Sequence, residues 1–356
     1  MTAKTGRTPQ SNENKPAIKI SWRRKVIYSL VPLLVLMGMI EGVCRLFPYH
    51  DKQPIFGKVV IPDPDLIWRL KPLSLYQTND LGLRDTPYNE KADVKILLLG
   101  DSVSWGAGIN HIQQLYPYLL EQNLNKLSPH KTYEVINAAV MGYSTFQEAK
   151  YLKLYGLKFH PDLIILQFCL NDVFERYLTV SEYGGDNMFL GIDTRKGTSG
   201  IYGFFLRHSR AFEHLLRFLQ WRARRQEEYD VKKMTRDKLS PELEQAWHTT
   251  LNEVDDIYQT ATQNHIPLLL VIAPYNFQLA DPAKLRQPQD RLIEFARSHG
   301  ISYVDLLPIL VNEGLFSQLY NDPSHFSVIG HEVVARVLVQ PVFNVLKSGS
   351  DSNTEK

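Results

Sequence analysis

Val94-Lys95-Ile96-Leu97-Leu98-Leu99-Gly100-Asp101-Ser102-Val103-Ser104-Trp105-Gly106 opens with a short apolar run that stops at a glycine and then turns polar. A run of that length, bounded in that way, reads as a strand buried on both faces, as in a parallel sheet. The pattern recurs along the chain. Tyr133 to Ala139 reads as a second strand ending near Gly142, Leu163 to Phe168 as a third, Pro267 to Ile272 as a fourth and Ile301 to Val304 as a fifth. Helical periodicity fills the gaps at Leu115 to Leu127, Thr145 to Leu157, Pro241 to Gln263 and Pro282 to Ser298, and Ser327 to Leu346 closes the core as a helix. Such alternation implies an α/β fold with a central parallel sheet and helices on both faces. Ligands of these sheets bind at the carboxyl ends of the strands. The residues just past the first three strands are therefore the first candidates for chemistry.

Ser102 lies immediately past the first strand, where Gly100 allows a sharp turn. A serine hydroxyl attacks a carbonyl only once a base removes its proton. An ordinary strand-to-helix turn capped by Asp101 or Ser102 is the alternative. The stretch is not a Gly-x-Ser-x-Gly elbow, because Ser104 stands where the second glycine would be. Gly142, in Val140-Met141-Gly142-Tyr143-Ser144, would let a backbone N–H approach a ligand, or is a plain loop glycine. Asn171, before Asp172, offers a neutral amide donor suited to a developing oxyanion, though Asn-Asp also suits a turn or cap. His325 is the candidate base, in Tyr320-Asn321-Asp322-Pro323-Ser324-His325-Phe326-Ser327. Asp322, three residues earlier, can turn back to accept the other imidazole N–H. Pro323 stiffens the loop. His331 is a weaker rival, and a surface loop whose Ser327 caps the last helix is the plainer reading.

Together these blocks resemble the SGNH/GDSL hydrolase family: its Gly-Asp-Ser block, its glycine block, its Gly-x-Asn-Asp block and its Asp-x-x-His block. Here the third block reads Cys169-Leu170-Asn171-Asp172, with Cys169 in place of the glycine. The resemblance spans roughly residues 94–347. It implies a flavodoxin-like three-layer α/β/α sandwich. It also implies a triad of Ser102 as nucleophile, His325 as base and Asp322 as orienter. The N–H of Ser102, the N–H of Gly142 and the amide of Asn171 would form the oxyanion hole. No metal or organic cofactor is implied.

The 356 residues are 44% hydrophobic and 22% charged, as expected of a globular chain with extensions. Forty Lys and Arg against 38 Asp and Glu give a net charge of +2, no basis for a nucleic-acid partner. Cys44 and Cys169, the only cysteines, suggest neither a disulfide framework nor a zinc site.

Residues 1–25 read as a disordered basic tail on the cytoplasmic side. Arg23, Arg24 and Lys25 precede an uncharged run from Val26 to Ile40 that extends to Phe47 if Glu41 and Arg45 pair four apart on a helix. A span of roughly 20 residues crosses a bilayer. The basic cluster places the amino terminus inside and the bulk outside. A cleaved signal peptide lacks its small-residue site, and a lipoprotein modified at Cys44 lacks its lead-in. The expected organisation is an anchor at 26–47, a proline-rich stem at 48–92, a hydrolase-like domain at 93–347 and a disordered tail at 348–356. Within the stem, Thr78 to Asp85 reads as a surface turn. Residues 173–240 interrupt the alternation as an insertion. Its apolar stripe of Phe212, Leu215, Leu216 and Leu219 lies among arginines. It reads as a packed helix with a charged face, or as a lid or platform for anionic polymer or lipid head groups.

The expectation is therefore a single-pass membrane protein whose catalytic domain is extracytoplasmic, periplasmic in a Gram-negative cell. It would be a serine esterase acting on small acyl esters, such as acetyl groups of glycans or lipids. The alternatives are an O-acetyltransferase of polysaccharide modification and a non-catalytic glycan-binding or assembly protein. Oligomeric state is not legible.

Overall fold

The computed structural model describes residues 21–46, 59–74, 77–176, 186–187, 192–193, 208–212, 214–215 and 231–354. Of the tail expected at 1–25, residues 1–20 lie outside the described residues, as does most of the insertion, and Trp22 to Lys25 are the first turn of a helix rather than disordered. Helix α1, Trp22–Leu46, has 25 residues. At about 1.5 Å per residue it is longer than the roughly 30 Å hydrocarbon core. By length and hydropathy it is a candidate membrane span, and none of its apolar stretch is buried among the described residues. Arg45 Nε lies 2.8 Å from Glu41 Oε1, the pair expected from their spacing. Glu41 also accepts bonds from Ser209 Oγ and from the Arg210 and Ala211 amides, which ties a piece of the insertion to the far end of this helix.

Strands β1 (Val60–Asp63) and β2 (Ile67–Leu70) form an antiparallel hairpin. The main sheet follows with β3 (Val94–Leu99), β4 (Tyr133–Asn137) and β5 (Leu163–Cys169). The two-residue strands β6 (Asp186–Asn187) and β7 (Ile192–Asp193) pair only with each other. Strands β8 (Leu268–Ala273) and β9 (Ser302–Asp305) then complete the main sheet. Its order is β4-β3-β5-β8-β9 and all its pairs are parallel. The chain leaves β3 to one side for β4 and returns to the other side for β5. That reversal is the switch point at which open α/β sheets bind ligands.

The helices after α1 are α2 (Ser102–Trp105), α3 (Tyr116–Leu127), α4 (Thr145–Leu154), α5 (Asn171–Arg176), α6 (Pro241–Gln263), α7 (Pro282–Leu285), α8 (Gln287–His299), α9 (Leu306–Glu313) and α10 (Val328–Thr354). Adjacent residues of a strand face opposite ways. On β5, Gln167 accepts from Ser104 Oγ, which also bonds Tyr116 of α3, and Tyr116 stacks on His331 of α10. The next residue, Phe168, stacks on Trp247 of α6, which packs beside α4. Helices α3 and α10 therefore cover one face and α4 and α6 the other, a three-layer α/β/α sandwich.

The differences from expectation have local causes. The helix expected at Pro282 to Ser298 is two, because Pro288 lacks an N–H and its ring opposes the carbonyl four residues back. Helix α4 stops at Leu154 and gives way to a 3₁₀ turn. Helix α9 was not anticipated; Asp305 caps it by accepting from the Leu307 N–H. Helix α10 runs through Thr354, well into the tail expected to be disordered, since extending a formed helix needs no new nucleus. Thr78 to Asp85 is not a surface turn. Thr78, Asn79, Leu83, Arg84 and Asp85 are buried, because Asn79 Oδ1 accepts from the Leu81 and Leu83 amides and folds the loop inward.

Candidate active site

Gly100 ends β3 in a tight space. A Cβ there would lie 2.7 Å from Gln167 Oε1 and 2.8 Å from Ser104 Oγ. Space rather than a special backbone angle demands the glycine, since Gly100 is not among the positive-φ residues. Asp101, fully buried, is the N-cap of the one-turn helix α2: its Oδ1 accepts from the Val103 N–H at 2.8 Å. Ser102 is the first residue of that turn.

The loop before α10 reaches Ser102 from the other side of the chain. His325 Nε2 lies 2.7 Å from Ser102 Oγ. His325 Nδ1 lies 2.6 Å from Asp322 Oδ2. The second Asp322 oxygen accepts from the His325 amide at 2.9 Å and the Ser324 amide at 3.0 Å. Burial pushes the Asp322 carboxyl up. The His325 ring and the two amides outweigh it and bring the carboxyl down to about 2. Asp322 is thus ionised when it faces the ring and holds Nδ1 as the protonated nitrogen. With a proton on Nδ1, Nε2 turns its lone pair toward Ser102 Oγ. The Pro323 carbonyl accepts from the Asn276 N–H at 2.8 Å, which pins the loop.

Gly142 follows β4 with φ +73°, in the left-handed region that favours glycine. The Tyr143 N–H closes its turn on the Val140 carbonyl at 3.1 Å. Neither the Ser102 nor the Gly142 N–H has an acceptor among the described residues.

Asn171 begins α5 beyond β5 and is buried. Its Nδ2 donates to Asp101 Oδ2 at 2.6 Å. An amide nitrogen carries two hydrogens, so one remains. Asp172, not Asn171, makes the local turn, accepting from the Cys169 N–H at 2.8 Å. Cys169 is fully buried, and burial pushes its thiol well up, so it is a neutral filler.

The structure brings all five candidates together at the carboxyl edge of β3, β4 and β5. His331 is elsewhere in the chemistry. It is fully buried, its Nδ1 accepts from the Tyr116 N–H at 3.1 Å, and burial, with Arg84 and His325, lowers its pKa to about 3. Asp101 was given only a capping role by the sequence, yet it also orients Asn171. Burial pushes its carboxyl up, against the Asn171 and Val103 donors. Glu148 on α4 was not singled out. It is buried with neither carboxyl oxygen paired among the described residues, and burial pushes its pKa well up, helped by Asp101 and Glu253. No heptad, spacing or motif marks it. Among the described residues no group of three or more His, Cys, Asp or Glu side chains is placed to hold a metal ion.

A family model described as GDSL-like lipase/acylhydrolase matches residues 98–333. Several solved structures are similar to the chain. A lipase/acylhydrolase from Enterococcus faecalis is 14% identical over 70% of this chain and 95% of that one, with a TM-score of 0.42. Axe2, an acetylxylan esterase from Geobacillus stearothermophilus, is 13% identical over 70% and 94%, with a TM-score of 0.44. TesA is 15% identical over 72% and 99%, with a TM-score of 0.42. No curated protein sequence matches the chain. The family match covers about two thirds of the chain and takes in every block of the site, from Gly100 to His325: this chain belongs to the GDSL-like lipase/acylhydrolase family and is an ester-bond hydrolase.

Proposed function

We propose that the protein is a serine esterase in which Ser102 is the nucleophile, His325 the base and Asp322 the group that orients it. The observation that carries the reading is the relay itself: 2.7 Å from Ser102 Oγ to His325 Nε2 and 2.6 Å from His325 Nδ1 to Asp322. Both are within the reach required of a nucleophile, its base and the base's partner. As Oγ attacks the ester carbonyl, its proton passes to Nε2, and the ionised Asp322 stabilises the imidazolium. The carbonyl oxygen becomes an oxyanion held by the Ser102 N–H, the Gly142 N–H and the remaining Asn171 N–H. The tetrahedral intermediate collapses, the alcohol leaves with the proton from His325, and an acyl-serine remains. Water, deprotonated by His325, then releases the acid.

In this reading α1 anchors the protein in the cell membrane. Arg23, Arg24 and Lys25 hold its start on the cytoplasmic side, so the hydrolase domain is extracytoplasmic. Small acyl esters, such as acetyl groups on glycans or lipids at that surface, are the proposed substrates. The test is p-nitrophenyl acetate hydrolysis by the full chain beside Ser102→Ala and His325→Ala. Turnover in wild type that is lost in both variants supports the mechanism. Equal turnover in all three refutes it. Acyl release that appears only with an added sugar acceptor would make the acyl-serine the donor of a transferase.

A further inference from the structure

The family match begins at residue 98. The hairpin and loop at 59–92 lie before it, yet they hold the candidate site from behind at two places. The first is Arg84, only 1% exposed. Its Nη1 donates to the Trp105 carbonyl at 2.7 Å and the Gly106 carbonyl at 2.9 Å, and its Nη2 to the Ile109 carbonyl. Its guanidinium carbon sits 3.9 Å from the Trp105 ring centroid. These carbonyls belong to the carboxyl end of α2 and the loop that follows it, and α2 is one turn long with Ser102 as its first residue. A cation at that end complements the helix dipole. Its planar fork fixes the directions in which these three bonds are donated. Asp85 extends the brace: its Oδ2 accepts from the Asn137 N–H at 2.8 Å, where β4 ends.

The second place is Trp68, fully buried on β2. Its Nε1 donates to the Met141 carbonyl at 3.3 Å, and its own carbonyl accepts from Tyr143 Oη at 2.6 Å. Met141 and Tyr143 flank Gly142. The two contacts therefore grip both sides of the residue whose N–H has no acceptor among the described residues.

We propose that segment 59–92 sets the positions of the two backbone donors of the oxyanion hole. Arg84 acts through α2 on the Ser102 N–H, and Trp68 acts through the Met141–Tyr143 turn on the Gly142 N–H. The inference rests on the ester-hydrolysis reading above. Both are positioning residues, since neither touches the reacting atoms. The chemistry of the choice supports the role. Burying a guanidinium is costly unless its donors are matched, and an apolar side chain would fill the same space at no such cost. Indole differs from a phenyl ring by added bulk and by a donor, and here the donor is spent on the Met141 carbonyl.

The experiment uses Arg84→Lys and Trp68→Phe in the full chain. Three quantities are read for each variant: the thermal midpoint, kcat and KM on p-nitrophenyl acetate, and the second-order rate of Ser102 labelling by a serine-directed phosphonate. Donors displaced by about 1 Å cost on the order of 10² in rate. Arg84→Lys should lower kcat by about 10- to 100-fold and Trp68→Phe by about 3- to 10-fold. KM should change little, and labelling should slow by the same factors, because the phosphonyl oxygen takes the place of the oxyanion. A residue that served stability alone would lower the midpoint and leave both rates intact well below it. Trp68→Phe keeps an aromatic ring in the core, so it decides the matter if Arg84→Lys does not fold. Variants that turn over and label at wild-type rates would overturn this inference and leave the esterase reading standing. A wild type that neither hydrolyses nor labels would overturn both.

Discussion

Replacing Asn171 with alanine separates two jobs that the structure gives one amide. Nδ2 donates to Asp101 Oδ2 at 2.6 Å, and its second hydrogen is the proposed third donor to the oxyanion. Losing one such donor typically lowers kcat by about 10²–10³. Asp101 is fully buried, so the same substitution strands one oxygen of a buried carboxyl, which costs about 1–3 kcal/mol. For a domain of this size that is a fall of roughly 3–10 °C in the unfolding midpoint. Asn171→Ala is therefore predicted to lose both activity and stability. Asp101→Ala removes the partner, and the double variant should be less destabilised than the sum of the singles, because no stranded group remains. The assays are p-nitrophenyl acetate kinetics and thermal unfolding on all four proteins. A variant that loses its midpoint as predicted but keeps kcat would show that Asn171 serves only Asp101, and the oxyanion assignment would be wrong.

Three further substitutions test two residues of the site and one of the core behind it. Asp322→Asn, with its one oxygen kept for the Ser324 and His325 amides, turns an NH₂ group toward Nδ1 and favours the wrong tautomer; kcat should fall by about 10³–10⁴, and a fall under tenfold in steady-state assays would remove Asp322 from the relay. Gly142→Ala forces a side chain into φ +73°, at a cost of about 1–2 kcal/mol, and should lower kcat more than it raises KM; a change confined to KM would place Gly142 in substrate binding instead. His331 is buried neutral, with a pKa lowered from 6.5 to about 3. The unfolded chain binds its proton below about 6.5 and the folded chain does not, so His331 stability is complete above that pH and is lost as pH falls toward 3, by up to about 1.4 kcal/mol per pH unit. His331→Asn, which keeps an acceptor for the Tyr116 N–H, should flatten urea-derived stability across pH 4–6.5; identical slopes in both proteins would contradict the buried-neutral assignment.

The parts of the fold that were legible in the sequence are those where a local pattern coincides with the global role. Val94 to Leu99, Leu163 to Phe168 and Pro241 to Gln263 fall within a residue or two of the observed elements, because fully buried strands stand out as short bounded apolar runs and long amphipathic helices leave a strong periodic trace. The five candidate residues could be read because each follows a strand or precedes the last helix, and the topology carries those ends to one edge. What stayed hidden depends on contacts distant in sequence. Nothing around Arg84 in Thr78 to Asp85 tells that its fork meets carbonyls 21 to 25 residues on, so the stretch resembles any exposed turn. Trp68 likewise gains its meaning from Met141, 73 residues away. Asp101 was visible as a cap, but its second oxygen serves Asn171, 70 residues on, which no local pattern reports.

In the proposed mechanism Ser102 carries the acyl group, activated by His325. Intact-mass analysis of the full chain after treatment with a serine-directed phosphonate tests it most directly, run on wild type, Ser102→Ala and His325→Ala. One adduct is expected on wild type, mapped to the peptide holding Ser102, with no adduct on Ser102→Ala and labelling slowed by orders of magnitude in His325→Ala. An adduct on Ser102→Ala equal to that of wild type, or none on an ester-hydrolysing wild type, would contradict it.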